Sequence, residues 1–282
     1  MMTPMLRTVS THLELGLTGS SKLIFSVAAA QGTPIQRESL AISIDGAAIE
    51  PMEVVDAHGS RLHALAASGN GLVLDYEATI DGIADQPPVE QIDEIVYVRP
   101  SRYCESDSLG PTAASEFAGL TGIDLLQAVI TWVNQKLMYV TGSSLPTDGA
   151  VRTLLGRQGV CRDFAHLSIA LLRALNVPAR LSAVYAPGLS PMEFHAVAEA
   201  FVDDAWWVVD ATQLAPRQSL LRISTGRDAA DTAFMTNFGA PTSLTGLEVT
   251  PWSTTSSSTT RPSSPSCVDL ACALAPERPG RS

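Results

Sequence analysis

The sequence predicts an α+β protein in two parts: an antiparallel β region followed by a mixed region of helices and strands. Three observations carry that expectation. Short apolar or alternating runs divided by turn signals fill residues 1–98. Two amphipathic helical stretches occupy the middle of the chain, and three strand-like runs follow the second. The length, 282 residues, gives a prior of two domains at about 150 residues each.

The runs in the first part are Arg7–Leu17, Lys22–Ala29, Ser39–Ile44, Arg61–Ala66 and Gly71–Ile80. Breaks such as Asp45-Gly46 and Ser68–Gly71 separate them, which predicts an antiparallel sandwich or barrel over 1–98. Asp56, His58 and His63 in this part read as turn and strand residues, since no fourth ligand or metal-site spacing accompanies them. Residues 99–120 read as a connector. Thr121 followed by Asp124 resembles a capping box and opens a helix over Ile123–Leu137. Its apolar stripe is Leu126, Val129, Ile130, Val133 and Leu137.

A polar loop, Thr141–Gly149, precedes a short helical stretch, Ala150–Leu155. The second strong helix starts at Gly159–Cys161, carries Phe164, Leu167, Leu171, Leu172 and Leu175 on one stripe, and ends at Asn176-Val177-Pro178. Strands are expected over Arg180–Ala186, His195–Val202 and Ala205–Thr212, within a second domain spanning 121–250. Residues 251–282 read as a disordered tail: eleven of the fourteen residues Ser253–Ser266 are Ser or Thr, a composition that cannot bury a core.

Eighteen basic residues, only two of them lysines (Lys22 and Lys136), stand against 29 acidic ones, a net charge of −11. Such a surface repels phosphate backbones and anionic lipid, so neither nucleic acid nor a membrane is an expected partner. No run approaches the roughly 18 apolar residues of a membrane span. The first residues show no basic region followed by an apolar one, so the cytoplasm is the expected compartment. Cys104, Cys161, Cys267 and Cys272 are then expected as thiols.

One of those thiols sits in a pattern. Cys161 falls where a loop becomes a helix, so backbone N–H groups and the positive end of the helix dipole favour a thiolate there. The same amides, with Gly159 and Val160 before them, suit the oxyanion of a tetrahedral intermediate. Gly159 also permits close approach of a substrate backbone. His195 and Asp210 lie on successive strands joined by Asp203-Asp204. With those two residues as the turn, Val197 lies opposite Asp210, and His195 and Asp210 become diagonal neighbours on one face. A carboxylate beside an imidazole fixes its tautomer, leaving the other ring nitrogen for the thiol. His166 reads as a buried histidine or a hydrogen-bonding support for the site, Asp163 as a carboxylate complementing the helix dipole, and Cys104 as a loop thiol. Of Trp206 and Trp207, alternation puts one in the core and the other at a cleft edge.

Three segments carry a family resemblance: GVCRDFAHLSIALLRALNVPAR at 159–180, FHAVAEAFV at 194–202 and WWVVDAT at 206–212. They resemble the transglutaminase-like superfamily, papain-like enzymes with a Cys–His–Asp triad. RPSRYCESD at 99–107 and LMYVTGSS at 137–144 extend the likeness to a bacterial branch with an N-terminal β region. The resemblance implies Cys161 as nucleophile, His195 as general base and acid, and Asp210 as its orienter. It also implies an aromatic residue near the oxyanion, with Tyr139, Trp132 and Trp206 as candidates. The Trp of the crosslinking members has no evident counterpart, so hydrolysis of an amide or peptide bond in a protein or peptide substrate is expected ahead of glutamine–amine crosslinking. A binding module that keeps the triad is the non-catalytic alternative. None of these readings calls for a metal or organic cofactor.

Overall fold

A computed structural model describes residues 6–84, 89–189 and 193–254. The first half contains β1 (Leu6–Leu17), β2 (Ser21–Phe25), β3 (Ile35–Ile44), β4 (Ala47–Ala48), β5 (Met52–Val55), β6 (Arg61–Ala67) and β7 (Gly71–Asp81). Then come α1 (Gln91–Val96), α2 (Ser106–Glu116), α3 (Gly122–Lys136), β8 (Met138–Tyr139), α4 (Ala150–Gly156), β9 (Gln158–Gly159) and α5 (Cys161–Ala174). The chain closes with β10 (Ala179–Tyr185), β11 (His195–Val202), β12 (Ala205–Val209), β13 (Leu221–Gly226), β14 (Met235–Gly239) and β15 (Thr242–Thr254). Antiparallel sheets run in the orders β15-β1-β7-β3-β4 and β14-β2-β6-β5; another has the order β12-β11-β10-β13, and β8 pairs with β9 in parallel.

Contacts divide the chain into two units, one of residues 1–84, 182–195 and 214–256, the other of 85–181, 196–213 and 257–282. This differs from the sequential division into 1–98, 99–120, 121–250 and 251–282. In the first unit β15 pairs with β1 along its whole length and β14 pairs with β2, so residues more than 200 positions apart share sheets. Local periodicity carries no trace of such pairing. β15 also takes the first residues of the expected tail, Leu6 lying opposite Thr254. The remainder of that tail, with Cys267 and Cys272, lies outside the described residues.

Strand alternation explains the first unit. Val9, Leu13, Leu15 and Leu17 of β1 are buried at every second position, and Leu72, Leu74, Tyr76, Ala78 and Ile80 of β7 match them. Leu23, Phe25 and Leu65 from the other antiparallel sheet join the same buried cluster, which makes the unit a sandwich. Asp56 forms a turn, its Oδ1 accepting from the amides of His58 and Ser60, each at 2.8 Å.

In the second unit α5 is buried on every side from Asp163 to Arg173. The expected stripe of α3 lies against it: Leu126, Val129, Ile130 and Val133 are all buried. Thr121 does start α3, but its side chain makes no capping bond. The expected connector is built structure. Residues 106–116 form α2 despite Gly110 and Pro111, and Arg173 donates to the carbonyl of Arg99 at 3.1 Å and the hydroxyl of Ser101 at 3.0 Å. Glu105 Oε2 accepts from the Ala150 amide at 2.8 Å at the start of α4. These residues act through partners remote in sequence, and that hides them from a periodicity reading.

β11 and β12 form a hairpin through Asp203 and Asp204, both in the left-handed region with φ of 51° and 60°. Beside it lies a buried ionic group. Arg180 Nε donates to Glu199 Oε2 at 2.8 Å, and its guanidinium lies 3.8 Å from the Trp206 ring centroid. Glu199→Ala leaves the buried guanidinium without its main counter-charge and is expected to cost about 3–5 kcal/mol. Replacing both partners by apolar residues of similar size is expected to cost much less, and chemical denaturation of the three proteins checks the order.

In the first unit burial lowers the pKa of His63, although Glu53 opposes the shift. The folded state therefore favours the neutral imidazole. Its contribution to stability is present above the ordinary imidazole range of about 6.5 and is lost as pH falls through it. His12, raised by its hydrogen bonds to Asp75 and Glu14, has the opposite sign: its contribution is lost as pH rises. Thermal melts from about pH 7.5 down to pH 5 are expected to fall less steeply for His63→Gln than for the native chain.

Candidate active site around Cys161

Cys161 is the first residue of α5 and carries a free, half-buried thiol. The helix behind it is buried from Asp163 to Arg173, so packing fixes its position. Its start is set by Asp163, which is completely buried. Asp163 Oδ2 accepts from the Val160 amide at 2.8 Å, and Oδ1 accepts from Arg162 Nη2 at 3.2 Å. A negative side chain in the first turn also complements the helix dipole.

This arrangement bears on two candidates. A Cβ on Gly159 would stand 2.6 Å from Asp163 Cβ, so the residue that caps the helix itself requires a glycine there. The Val160 amide is already engaged by that carboxylate and is part of the cap rather than an oxyanion donor.

Tyr139 lies beside the strand that leads into α5. The β8–β9 pairing sets it opposite Gly159, two residues before Cys161, and its ring centroid is 6.0 Å from that of Phe164. The two tryptophan candidates lie elsewhere. Trp132 donates through Nε1 to Glu116 at 2.8 Å and packs edge-on against Phe117, facing the end of α2. Trp206 is the core member of its pair, buried against Tyr97, Phe201 and Arg180. Trp207 is half-buried and donates to the Val202 carbonyl at 2.9 Å. His166 is fully buried, its ring stacked on Tyr103 with centroids 5.3 Å apart. Cys104 lies in the irregular stretch before α2 and is buried in the same core as α5.

His195 opens β11 and Asp210 follows β12; they are 1% and 2% exposed. The hairpin pairs Ala198 with Val209 and Val202 with Ala205. This is the register that a two-residue turn at Asp203 and Asp204 predicts. Asp210 Oδ1 accepts from the amide and the hydroxyl of Thr212, at 2.9 and 2.7 Å, which fixes the carboxylate plane. Asn134 of α3 donates to the Ala211 carbonyl at 2.8 Å and ties the same turn to the helical core.

Sequence reasoning missed Arg162. Its Nη2 donates to Ser144 Oγ at 2.6 Å and to the Leu145 carbonyl at 2.9 Å, fastening the 141–149 loop to the residue after Cys161. An arginine beside a cysteine at a helix start was the available signal. Gly159→Ala is expected to destabilise the chain by about 1–3 kcal/mol through its collision with Asp163. Gly156→Ala, whose added Cβ meets no atom within 4 Å, serves as the control, and thermal unfolding compares the two.

With this geometry in view, comparison with known proteins is informative. The family model of the transglutaminase-like superfamily core matches residues 112–211, a span that holds Cys161, His195 and Asp210. The crystal structure of a candidate cysteine protease from Cytophaga hutchinsonii is 34% identical, covers 92% of this chain and 93% of that one, and superposes with a TM-score of 0.82. An uncharacterised protein of Mycobacterium leprae is 28% identical over 134 residues, 43% of this chain and 47% of its own length, so the match spans about half of that relative. The periplasmic domain of TgpA from Pseudomonas aeruginosa shares 16% identity over 71% of this chain and 91% of its own, with a TM-score of 0.40. Identity of this extent with a chain of the same length, together with the core match, shows that the chain belongs to the transglutaminase-like superfamily.

Proposed function

We propose that the chain is a cysteine-dependent amide or peptide hydrolase with Cys161 as nucleophile, His195 as base and acid, and Asp210 as the residue that positions His195. The observation that carries this reading is the setting of Cys161: an accessible thiol at the first position of a helix whose body is buried throughout. Family membership and the register of the β11–β12 hairpin support it.

In the proposed reaction the thiol proton passes to the imidazole of His195 and the sulfur attacks the amide carbonyl carbon. The amides of Cys161 and Arg162, in the first turn of α5, are the donors for the oxyanion that forms. As the tetrahedral intermediate collapses the C–N bond breaks, and His195 returns its proton to the leaving nitrogen. Water then attacks the thioester, giving one proton to His195. The C–S bond breaks, a carboxylic acid leaves, and the sulfur recovers its proton. The Thr212 bonds to Asp210 Oδ1 keep that carboxylate from turning as the imidazole charges.

A mixture of peptides incubated with the full chain in oxygen-18 water tests the reading. Expected are new carboxyl termini bearing the label, abolished by Cys161→Ala and slowed by His195→Ala on the order of 100- to 10,000-fold. Amine-coupled glutamine products without labelled termini would mean that the thioester is resolved by amines instead. No Cys161-dependent product of either kind would overturn the enzymatic reading in favour of a binding module.

A further inference from the structure

Beside the proposed nucleophile the second unit presents apolar side chains that no core residue covers. Met138 is 65% exposed, Val140 36% and Leu145 63%. Such residues are unremarkable on a loose loop. Here the backbone that carries them is hydrogen-bonded at several points. Met138 and Val140 donate to the carbonyls of Arg157 and Gly159 at 2.9 and 3.0 Å, and the Ser143 amide and hydroxyl both donate to the Val140 carbonyl. The Leu145 amide donates to Asp148 Oδ2 at 3.0 Å. Its carbonyl accepts from the Asp148 amide and from Arg162 Nη2.

Alternation along β8 sorts the side chains. Tyr139 turns toward Phe164 and the core, so Met138 and Val140 stand on the other face. The exposed side chains are thus presented from a bonded backbone, one end of which pairs with the residue two before Cys161 while the other is fastened to the residue after it. An apolar acceptor that is already ordered loses little entropy when it is covered, which is what a substrate subsite requires.

We propose that Met138, Val140 and Leu145 receive an apolar side chain of the substrate on the acyl side of the scissile amide, with Arg162 as the positioning residue that holds Leu145 there. This rests on Cys161 being the nucleophile and adds the substrate class: peptides with a large apolar residue next to the bond cut. The occupant is a substrate side chain because the backbone that carries these residues is bonded to Gly159 and to Arg162, on either side of Cys161 in the chain.

The test needs no known substrate. The full chain is alkylated with 2-chloroacetamide or N-benzyl-2-chloroacetamide, the Cys161 sulfur displacing chloride in both, and each rate at Cys161 is read by mass spectrometry. Dividing by the same ratio for the denatured chain leaves the contribution of the fold. The native protein is expected to favour the benzyl probe by about tenfold, the scale of one apolar contact. Leu145→Asp, or the milder Leu145→Ser, is expected to bring the ratio near one. Arg162→Gln lowers it, and Arg162→Lys, which keeps a donor for the Leu145 carbonyl, restores part of it. Leu247→Asp, at an exposed leucine of the other unit, leaves it in place.

A native ratio near one, or one that Leu145→Asp does not move, overturns the subsite while fast, His195-dependent alkylation of Cys161 leaves the nucleophile standing. If Cys161 reacts no faster than in the denatured chain and His195→Ala changes nothing, the nucleophile fails and the subsite falls with it. A dimer that Leu145→Asp dissolves would assign the patch to contact between copies and equally overturn the proposal.

Discussion

Burial of α5 from Asp163 to Arg173 is the constraint on which the second unit rests. A helix packed on every side must have its polar ends and charged side chains satisfied from outside itself, since water is absent. The chain meets this at each point. Asp163 accepts the Val160 amide at the front, Asn176 adopts the left-handed conformation with φ of 60° at the back, and the buried Arg173 donates to the carbonyls of Ala179 and Arg99. The helix reaches an accessible surface at its ends, through Cys161 and Arg162 at the front and Ala174 at the back. The rigidity demanded by packing and the placement expected of a nucleophile come from the same arrangement.

The proposed partners of the thiol depend on a second constraint, the register of one hairpin. A shift by one residue would turn the side chains of one strand to the opposite face relative to the other. The left-handed turn at Asp203 and Asp204 guards against that, and so does Arg180 of β10, which pairs with Glu199 of β11 while its guanidinium lies over the Trp206 ring of β12. Buried ion pairs are weak contributors to net stability, yet their geometry is exacting. In this hairpin that exactness serves to keep one register.

Much of the second unit was legible in the sequence because its signals are local. The stripe of α3, the stop at Asn176-Val177-Pro178 and the Asp203-Asp204 turn each lie within a few residues of what they determine. The position of Cys161 at a helix start was legible for the same reason. What escaped is carried by distant partners: β14 and β15 completing sheets begun by β2 and β1, Glu105 capping α4, and Arg162 fastening the loop at Leu145. At Gly159 only the fold shows Asp163 occupying the space of the missing Cβ. Alternation separated Trp206 from Trp207 without telling which faced inward, and Trp206 proved to be the core member.

The central claim is that Cys161 works with His195, and the rate of iodoacetamide labelling at each cysteine as a function of pH tests it most directly. The account predicts that Cys161 labels ahead of Cys104, Cys267 and Cys272, that its labelling persists down to about pH 6, and that His195→Ala removes this low-pH reactivity. Labelling of Cys161 no faster than that of the other three, and indifferent to His195, would contradict it.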